Sequence, residues 1–328
     1  MQRKRNVYLN MKSLDEARRV FLGRFDLSGM LATETIAVTD AVGRVLAEPA
    51  HAQISSPSYH GAAMDGIAVR AERTYGASEL APRTLRVGDD AVFVNTGDVM
   101  PAGMDGVVMI EQVQQLDDET VQIESPAHPW SHVRKVGEDI VATEMLFARH
   151  HRVTPYCLGA LLNGGVLRVA VKRRPRVRII PSGAEIVPAT PQAVAELKPG
   201  QIIESNGAVL AALVERSGGV AEPGDVLPDD PEGIAEALAA AVAGDVDLVL
   251  LIGGSSAGAG DYTRLAIESV GEVLVHGVTI MPGKPTVLGA VGDKPVVGMP
   301  GYPVSTIVAF EQLVAPLLEA MLGATALD

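Results

Sequence analysis

Cysteine is almost absent from this 328-residue chain, aromatic side chains make up 4% of it, and acidic residues outnumber basic ones. Each shortage excludes something. The lone cysteine, Cys157, rules out an intramolecular disulfide and a cysteine-based metal cluster. With so few aromatic rings, the core must be built from Val, Leu, Ile, Ala and Met. Lys and Arg total 27 against 40 Asp and Glu, and the net charge of −13 argues against a general binder of nucleic acid or anionic membranes. A small anionic ligand stays open, because a few lysines and backbone N–H groups can hold one locally. No apolar run reaches the roughly 18 residues that span a bilayer. The basic start "MQRKRNVYLNMKS" leads into the charged "LDEARRVFLGRF", so the apolar stretch of a signal peptide is missing. The expectation is a cytoplasmic protein with neither nucleic acid nor membrane as partner.

What is there reads as two or three domains, given the length and a hydrophobic content of 47%. Ser13 and Glu16 have capping-box spacing ahead of an amphipathic run, Ala17 to Phe25, which predicts a first helix. From about residue 33 to 150 the segments are short, rich in Val and Ile, and broken by Gly, Pro and Asp, as in "DGIAVRA" and "RTLRVGDDAVFV". This predicts an N-terminal linker and β-rich domain from residues 1–50 and 140–174, with a barrel-like β domain, 51–139, inserted in it. Over residues 175–326 strand and helix patterns alternate. "DLVLLI" is apolar throughout, as a strand covered on both faces should be, and "PDDPEGIAEALAAAVAG" opens with Asp230 as N-cap and Pro231 at N1. A doubly wound α/β domain with a parallel sheet follows.

In such a sheet, ligands bind where the strands' carboxyl ends run into loops. Three loops look specialised: "IIPSGAEI", "LLIGGSSAGAGDYT" and "VGMPGYPVST". The glycines of the second, among them Gly253, Gly254 and Gly258, bring bare backbone close to a ligand, and helix starts after Asp261 and near Ser305 offer N–H groups to an anion. A phosphate or another oxyanion is the physical favourite. No Gly-Lys-Ser/Thr follows the glycines, no G-x-G-x-x-G occupies a strand–turn–helix position, and no nucleophile elbow occurs. The lysine lies in "MPGKP": Lys284, set among Pro282, Gly283 and Pro285, suits a fixed anion contact. Asp229, Asp230 and Asp261 could hold Mg²⁺ together with substrate phosphate, although Asp229–Asp230 by itself reads as a helix cap. In the β-rich half, Asp65, Asp98, Glu138 and Asp139 sit in turn contexts that do not themselves connect them to this edge.

These stretches, in this order, resemble the molybdopterin molybdenumtransferase family, the MoeA and gephyrin E-domain proteins. The match runs through "AMDGIAV", "NTGDVMPAGMDGVVMIE", "GEDI", "PSGAEI", "GQIIESN", "PDDPEGI", "GGSSAGAGDYT", "MPGKP" and "MPGYPVS", nearly the whole chain. The resemblance implies an α/β molybdopterin-binding domain joined to N-terminal β-rich domains in an elongated homodimer. It also implies Mg²⁺-dependent insertion of molybdate (or tungstate) into adenylylated molybdopterin with release of AMP, and other cofactor-synthesis proteins as partners. Carried over, Ser255, Ser256 and the glycines with Asp261 hold pyrophosphate, metal and molybdate, and Asp229 or Asp230 binds Mg²⁺. Lys284 meets the oxyanion, while Pro300, Gly301, Pro303 and Ser305 pack on the pterin beside Glu185 and Asn206. Asp65, Thr96 and Asp139 come from the β-rich part of the partner subunit, with Asp139 near the junction of the domains. The chain departs from the family at Ala184 (usually Asp), Met281 (usually Lys), Tyr302 (usually Asn) and Ser255–Ser256 (usually Val-Ser). It also stops after "AMLGATALD", where typical members continue into a small β domain, so a divergent or truncated member is expected. A non-catalytic molybdopterin carrier, sensor or regulatory protein is the alternative.

Overall fold

A computed structural model of the chain describes residues 11–254 and 262–324. In the C-terminal half, strands β1 (Arg176–Pro181), β2 (Val220–Pro223), β3 (Leu248–Ile252), β4 (Glu272–His276), β5 (Val287–Val291) and β6 (Lys294–Met299) form one sheet. Its order is β2-β1-β3-β6-β5-β4. Helices α1 (Asn206–Arg216), α2 (Pro231–Ala243), α3 (Tyr262–Val270) and α4 (Pro303–Leu322) cover both faces. Alternation within β3 explains the two-sided packing. Leu248, Leu250 and Ile252 join one core cluster with Leu210 and Val214 of α1 and Phe310 and Leu317 of α4. Val249 and Leu251 face the other, with Ile234 and Leu238 of α2 and Ala266 and Ile267 of α3. All five β3 side chains are nearly fully buried, worth about 1.5–3 kcal/mol each relative to exposure.

The predicted parallel sheet is parallel only in part. β2, β1, β3 and β6 run parallel, whereas β5 and β4 pair antiparallel. After α3 the chain turns at Gly271 straight into β4, and a two-residue connection, Gly292–Asp293, joins β5 to β6 with no room for a crossover helix.

α4 is long and apolar enough, by length and composition, to cross a bilayer, yet Phe310, Leu313, Val314, Leu317, Leu318 and Met321 on it belong to the domain core. Its middle, Phe310–Val314, is a π-helical segment just before Pro316. Proline has no N–H to give the carbonyl four residues back, that of Gln312. Arg18 fills the gap: its Nε donates to the Gln312 carbonyl at 2.8 Å and its Nη2 to the Gln312 side chain at 2.8 Å.

Arg18 belongs to the first helix, Leu14–Leu22, capped by Ser13, whose hydroxyl accepts the Glu16 N–H at 3.2 Å. That helix buries Ala17 and Phe21 in the α/β core. The β-rich part pairs Thr33–Ala37 with Arg168–Lys172 and Ala50–His51 with Met145–Phe147, under the helix Pro155–Asn163. The insert holds two three-stranded sheets sharing Ile67, Val69, Leu85, Val108, Val121 and Ile123 as core, and a bridge between Ser56 and Ile140 closes it. Gly66, in the centre of one sheet, has no alternative: a β-carbon there would lie 1.9 Å from the Val108 carbonyl oxygen.

Candidate functional site

β1, β3 and β6 are neighbours and parallel, with Pro181 opposite Ile252 and Ile252 opposite Met299, so their carboxyl ends open at one edge. The three loops singled out in the sequence start from those ends. A cavity of about 1040 Å³ lies there, lined from all three. The turn out of β3 depends on Gly253, which has φ +90° and whose β-carbon would lie 2.4 Å from the Ser182 carbonyl oxygen. Thr263, buried at the start of α3, donates its hydroxyl to the Gly253 carbonyl at 2.6 Å. Ser182 donates its N–H to the Ile252 carbonyl at 2.8 Å, tying the first loop to the second.

The third loop is tied as firmly. Thr306, fully buried in α4, donates to the carbonyls of Pro300 and Tyr302. Asn206, the first residue of α1, donates its side-chain N–H to the Gly301 carbonyl at 2.7 Å. Asn206 is therefore spent on the loop and acts at the site by holding backbone in place. α4 starts with Tyr302 at the N-cap, which offers no capping side chain, so the N–H groups of its first turn and the positive end of the helix dipole face the cavity beside Ser305. Lys284 lines the same cavity, exposed, and its ammonium meets no carboxylate among the described residues.

The carboxylates divide. Asp229 lines the cavity and accepts the Ala184 N–H at 3.3 Å. Asp230 instead caps α2, accepting the Gly233 N–H at 2.9 Å, and does not line the cavity. Glu185 and Glu204 also line it, the latter accepting the Gly207 N–H at 2.6 Å. Among the described residues no three His, Cys, Asp or Glu side chains group closely enough to hold a metal by themselves. One edge thus offers a cation and helix N–H groups for an anion, with two carboxylates able to share a divalent ion with that anion.

Of the residues expected here, Glu185, Asn206, Asp229, Gly253, Gly254, Lys284, Pro300, Gly301, Pro303 and Ser305 line the cavity. Pro282 and Gly283 flank Lys284 without lining it. Ser255, Ser256, Gly258 and Asp261 lie outside the described residues. Asp65, Thr96 and Asp139 sit in the insert, not on this cavity. Asp65 accepts both the N–H (2.6 Å) and the hydroxyl (2.9 Å) of Thr96, and these bonds hold its carboxyl below the usual range. Asp139 is paired with Arg134, at 2.5 Å, beside the bridge that closes the insert. Sequence reasoning did not single out Ser182, Ile186, Ile202 and Tyr262 as lining residues. Ser182 and Ile186 lie within the "PSGAEI" stretch and Ile202 within "GQIIESN", but nothing in their residue type marks them as lining; the isoleucines belong to a short ribbon, Ile186–Val187 with Ile202–Ile203.

Fold and cavity together define a molybdopterin-binding type of α/β domain behind a β-rich N-terminal half. Residues 178–320 match a probable molybdopterin binding domain, and residues 12–165 match the MoeA N-terminal region, domains I and II. A molybdopterin molybdenumtransferase of Haemophilus influenzae is 31% identical over 323 residues, covering 95% of this chain and 78% of that protein. Molybdopterin molybdenumtransferase 2 of Mycobacterium tuberculosis is 34% identical over 338 residues, covering 95% of this chain and 80% of its own length. A crystal structure of a molybdopterin biosynthesis MoeA protein from Pyrococcus superposes with a TM-score of 0.81 at 35% identity, over 96% of this chain and 81% of that one. The chain belongs to the MoeA family of molybdopterin molybdenumtransferases, proteins of molybdenum cofactor biosynthesis.

Proposed function

We propose that the chain inserts molybdate into adenylylated molybdopterin and releases AMP, with Mg²⁺ as cofactor. The observation that carries this is the single cavity edge whose lining combines Lys284, a cation with no carboxylate partner among the described residues, and an uncapped helix N-terminus with the carboxylates of Asp229 and Glu185. A phosphate-bearing ligand and a hard cation need those two sets of groups close together. The oxygen donors suit magnesium, which takes one or two carboxylates and completes its shell from substrate phosphate and water. Asp229 and Glu185 would hold it, and when bound it would supply charge neutralisation at the phosphoanhydride, where water adds at phosphorus as the P–O bond to the adenylyl group breaks and AMP leaves.

The chain's own groups do the rest. The turn after β3, which Gly253 makes against the Ser182 carbonyl, brings main-chain groups to the cavity edge where the pyrophosphate would lie. Lys284 and the first N–H groups of α4 face negative charge on the phosphate and on the incoming oxyanion. The tied loop Pro300–Pro303 keeps the pterin end in one orientation. A second copy of the chain, in a homodimer, would bring Asp65 and Thr96 of its insert to the cavity mouth, where the Asp65 carboxylate, kept ionised by Thr96, can accept a proton or orient substrate.

The test is turnover. Protein incubated with adenylylated molybdopterin, Mg²⁺ and molybdate or tungstate should release AMP in an oxyanion-dependent way, and Lys284→Ala should lower the rate about 100-fold. Tight pterin binding with no AMP from the wild-type chain would instead make it a carrier, sensor or regulatory protein; the thioether of Met281, 90% exposed at a position where the family resemblance implies a lysine, favours that outcome.

A further inference from the structure

Tyr302 is 82% exposed, yet it lines the cavity and stands on the most firmly fixed loop of the site. Three successive carbonyls, those of Pro300, Gly301 and Tyr302 itself, accept hydrogen bonds from Thr306 and Asn206. Pro303 follows, with φ set by its ring. The backbone that carries the phenol is therefore held from both sides, while the ring itself has no hydrogen-bond partner among the described residues. An aromatic side chain usually hides its faces in a core or an interface. Here a rigid mount presents both faces at the mouth of a ligand cavity whose near floor, at Gly253 and Gly301, carries no side chain.

We propose that Tyr302 is a stacking platform that binds a flat heteroaromatic ring of the substrate and sets its orientation over the glycine floor. This rests on the molybdopterin reading above. The substrate so defined carries two such rings, the pterin and the adenine, and the shared chemistry is a π-face on a π-face. Stacking uses the same contact before and during reaction, so Tyr302 should influence binding far more than the chemical step. The phenol hydroxyl has no part in it. An asparagine at this position, by contrast, offers only an amide, so Tyr302 would give this chain a tighter hold on planar ligands.

Three variants in the full chain test this: Tyr302→Ala, Tyr302→Phe and Tyr302→Asn. Binding is measured by equilibrium dialysis with three probes: adenylylated molybdopterin, molybdopterin lacking the adenylyl group, and AMP. Hypochromism of the bound ring is followed alongside. The expected result is binding of adenylylated molybdopterin weakened about 10-fold in the Ala and Asn variants and unchanged in the Phe variant. The hypochromism should disappear in the first two and persist in the third, with KM raised and kcat nearly constant. The probe that shares the loss names the ring: molybdopterin for the pterin, AMP for the adenine. Because Tyr302 is exposed, unchanged melting temperatures are expected, and the Phe variant controls for any that shift. Equal affinity and equal hypochromism in wild type and Tyr302→Ala would overturn the stacking role, while wild-type binding and the Lys284 dependence left the function standing. A wild-type chain that binds none of the three probes would overturn both together.

Discussion

Asp65 shows what a single residue reveals about its task. Its carboxylate is exposed, so burial does not set its protonation; the N–H and hydroxyl of Thr96 do, by favouring the charged form. A carboxyl lowered on folding contributes stability that is present above its unfolded pKa and is lost as pH falls through the folded value. Thr96→Val removes the hydroxyl donor and leaves the N–H. The Asp65 carboxyl should then titrate at higher pH, as followed by carboxyl-carbon NMR, while the insert stays folded. An unchanged titration in the variant would show that the backbone bond alone sets the charge. Gly253 is the opposite kind of residue, with no group to titrate and no freedom to change. Gly253→Ala would have to accept φ near +90° and push a methyl into the Ser182 carbonyl. A loss of about 1–3 kcal/mol is expected, measured by urea unfolding, together with a distorted cavity edge.

At the scale of elements, the first helix and the last one depend on each other through one guanidinium. Pro316 leaves the Gln312 carbonyl without its helical donor, and Arg18, 294 residues away in sequence, supplies two bonds to Gln312. Arg18→Met keeps much of the side chain's apolar stem but strands a partly buried carbonyl, and should cost about 1–3 kcal/mol by thermal or urea unfolding. Gln312→Ala should cost less, because it removes only the side-chain bond. Such pairings were beyond sequence reasoning, as was the bond from Asn206 to Gly301 across 95 positions, because nothing in a local pattern says which distant carbonyl lacks a donor. Local patterns did carry β3, whose unbroken apolar run fits a strand covered on both faces, and the caps at Ser13 and Asp230. They did not carry β4 and β5. "EVLVH" has one buried side chain among five, too little contrast for a strand signal, and "TVLGAV" is a short apolar run with a glycine inside it, which weakens a strand pattern. Glycines and prolines thus marked the cavity's edge well, while the antiparallel edge strands beside it, which owe their place to pairing with β6, stayed hidden.

The molecule as a whole is joined where the β-rich part meets the end of α4. Arg152 forms a two-pronged ion pair with Glu319 of α4, at 2.7 and 2.8 Å, and the His150 ring lies over Gly323, at the helix end. The ion pair is half in water, so Glu319→Gln should cost no more than about 1 kcal/mol. His150 is the more informative group. Burial lowers its pKa from the usual 6.5, and the positive charges of Arg149 and Lys172 lower it further. The folded junction therefore prefers the neutral ring. Above pH 6.5 the ring is neutral in both folded and unfolded chains, and its contribution is fully present. As pH falls below that, the unfolded chain takes up the proton first, so stability declines until the folded pKa is passed. The lowered carboxyl of Asp65 acts only near and below the usual aspartate value of 3.8, well outside this window. Urea unfolding between pH 7.5 and 5.5 should show the wild-type chain losing more stability than His150→Gln, whose side chain cannot charge. Parallel pH profiles for the two would mean that the junction does not sense the proton, and that the β-rich part and the α/β domain are held together without regard to pH in this range.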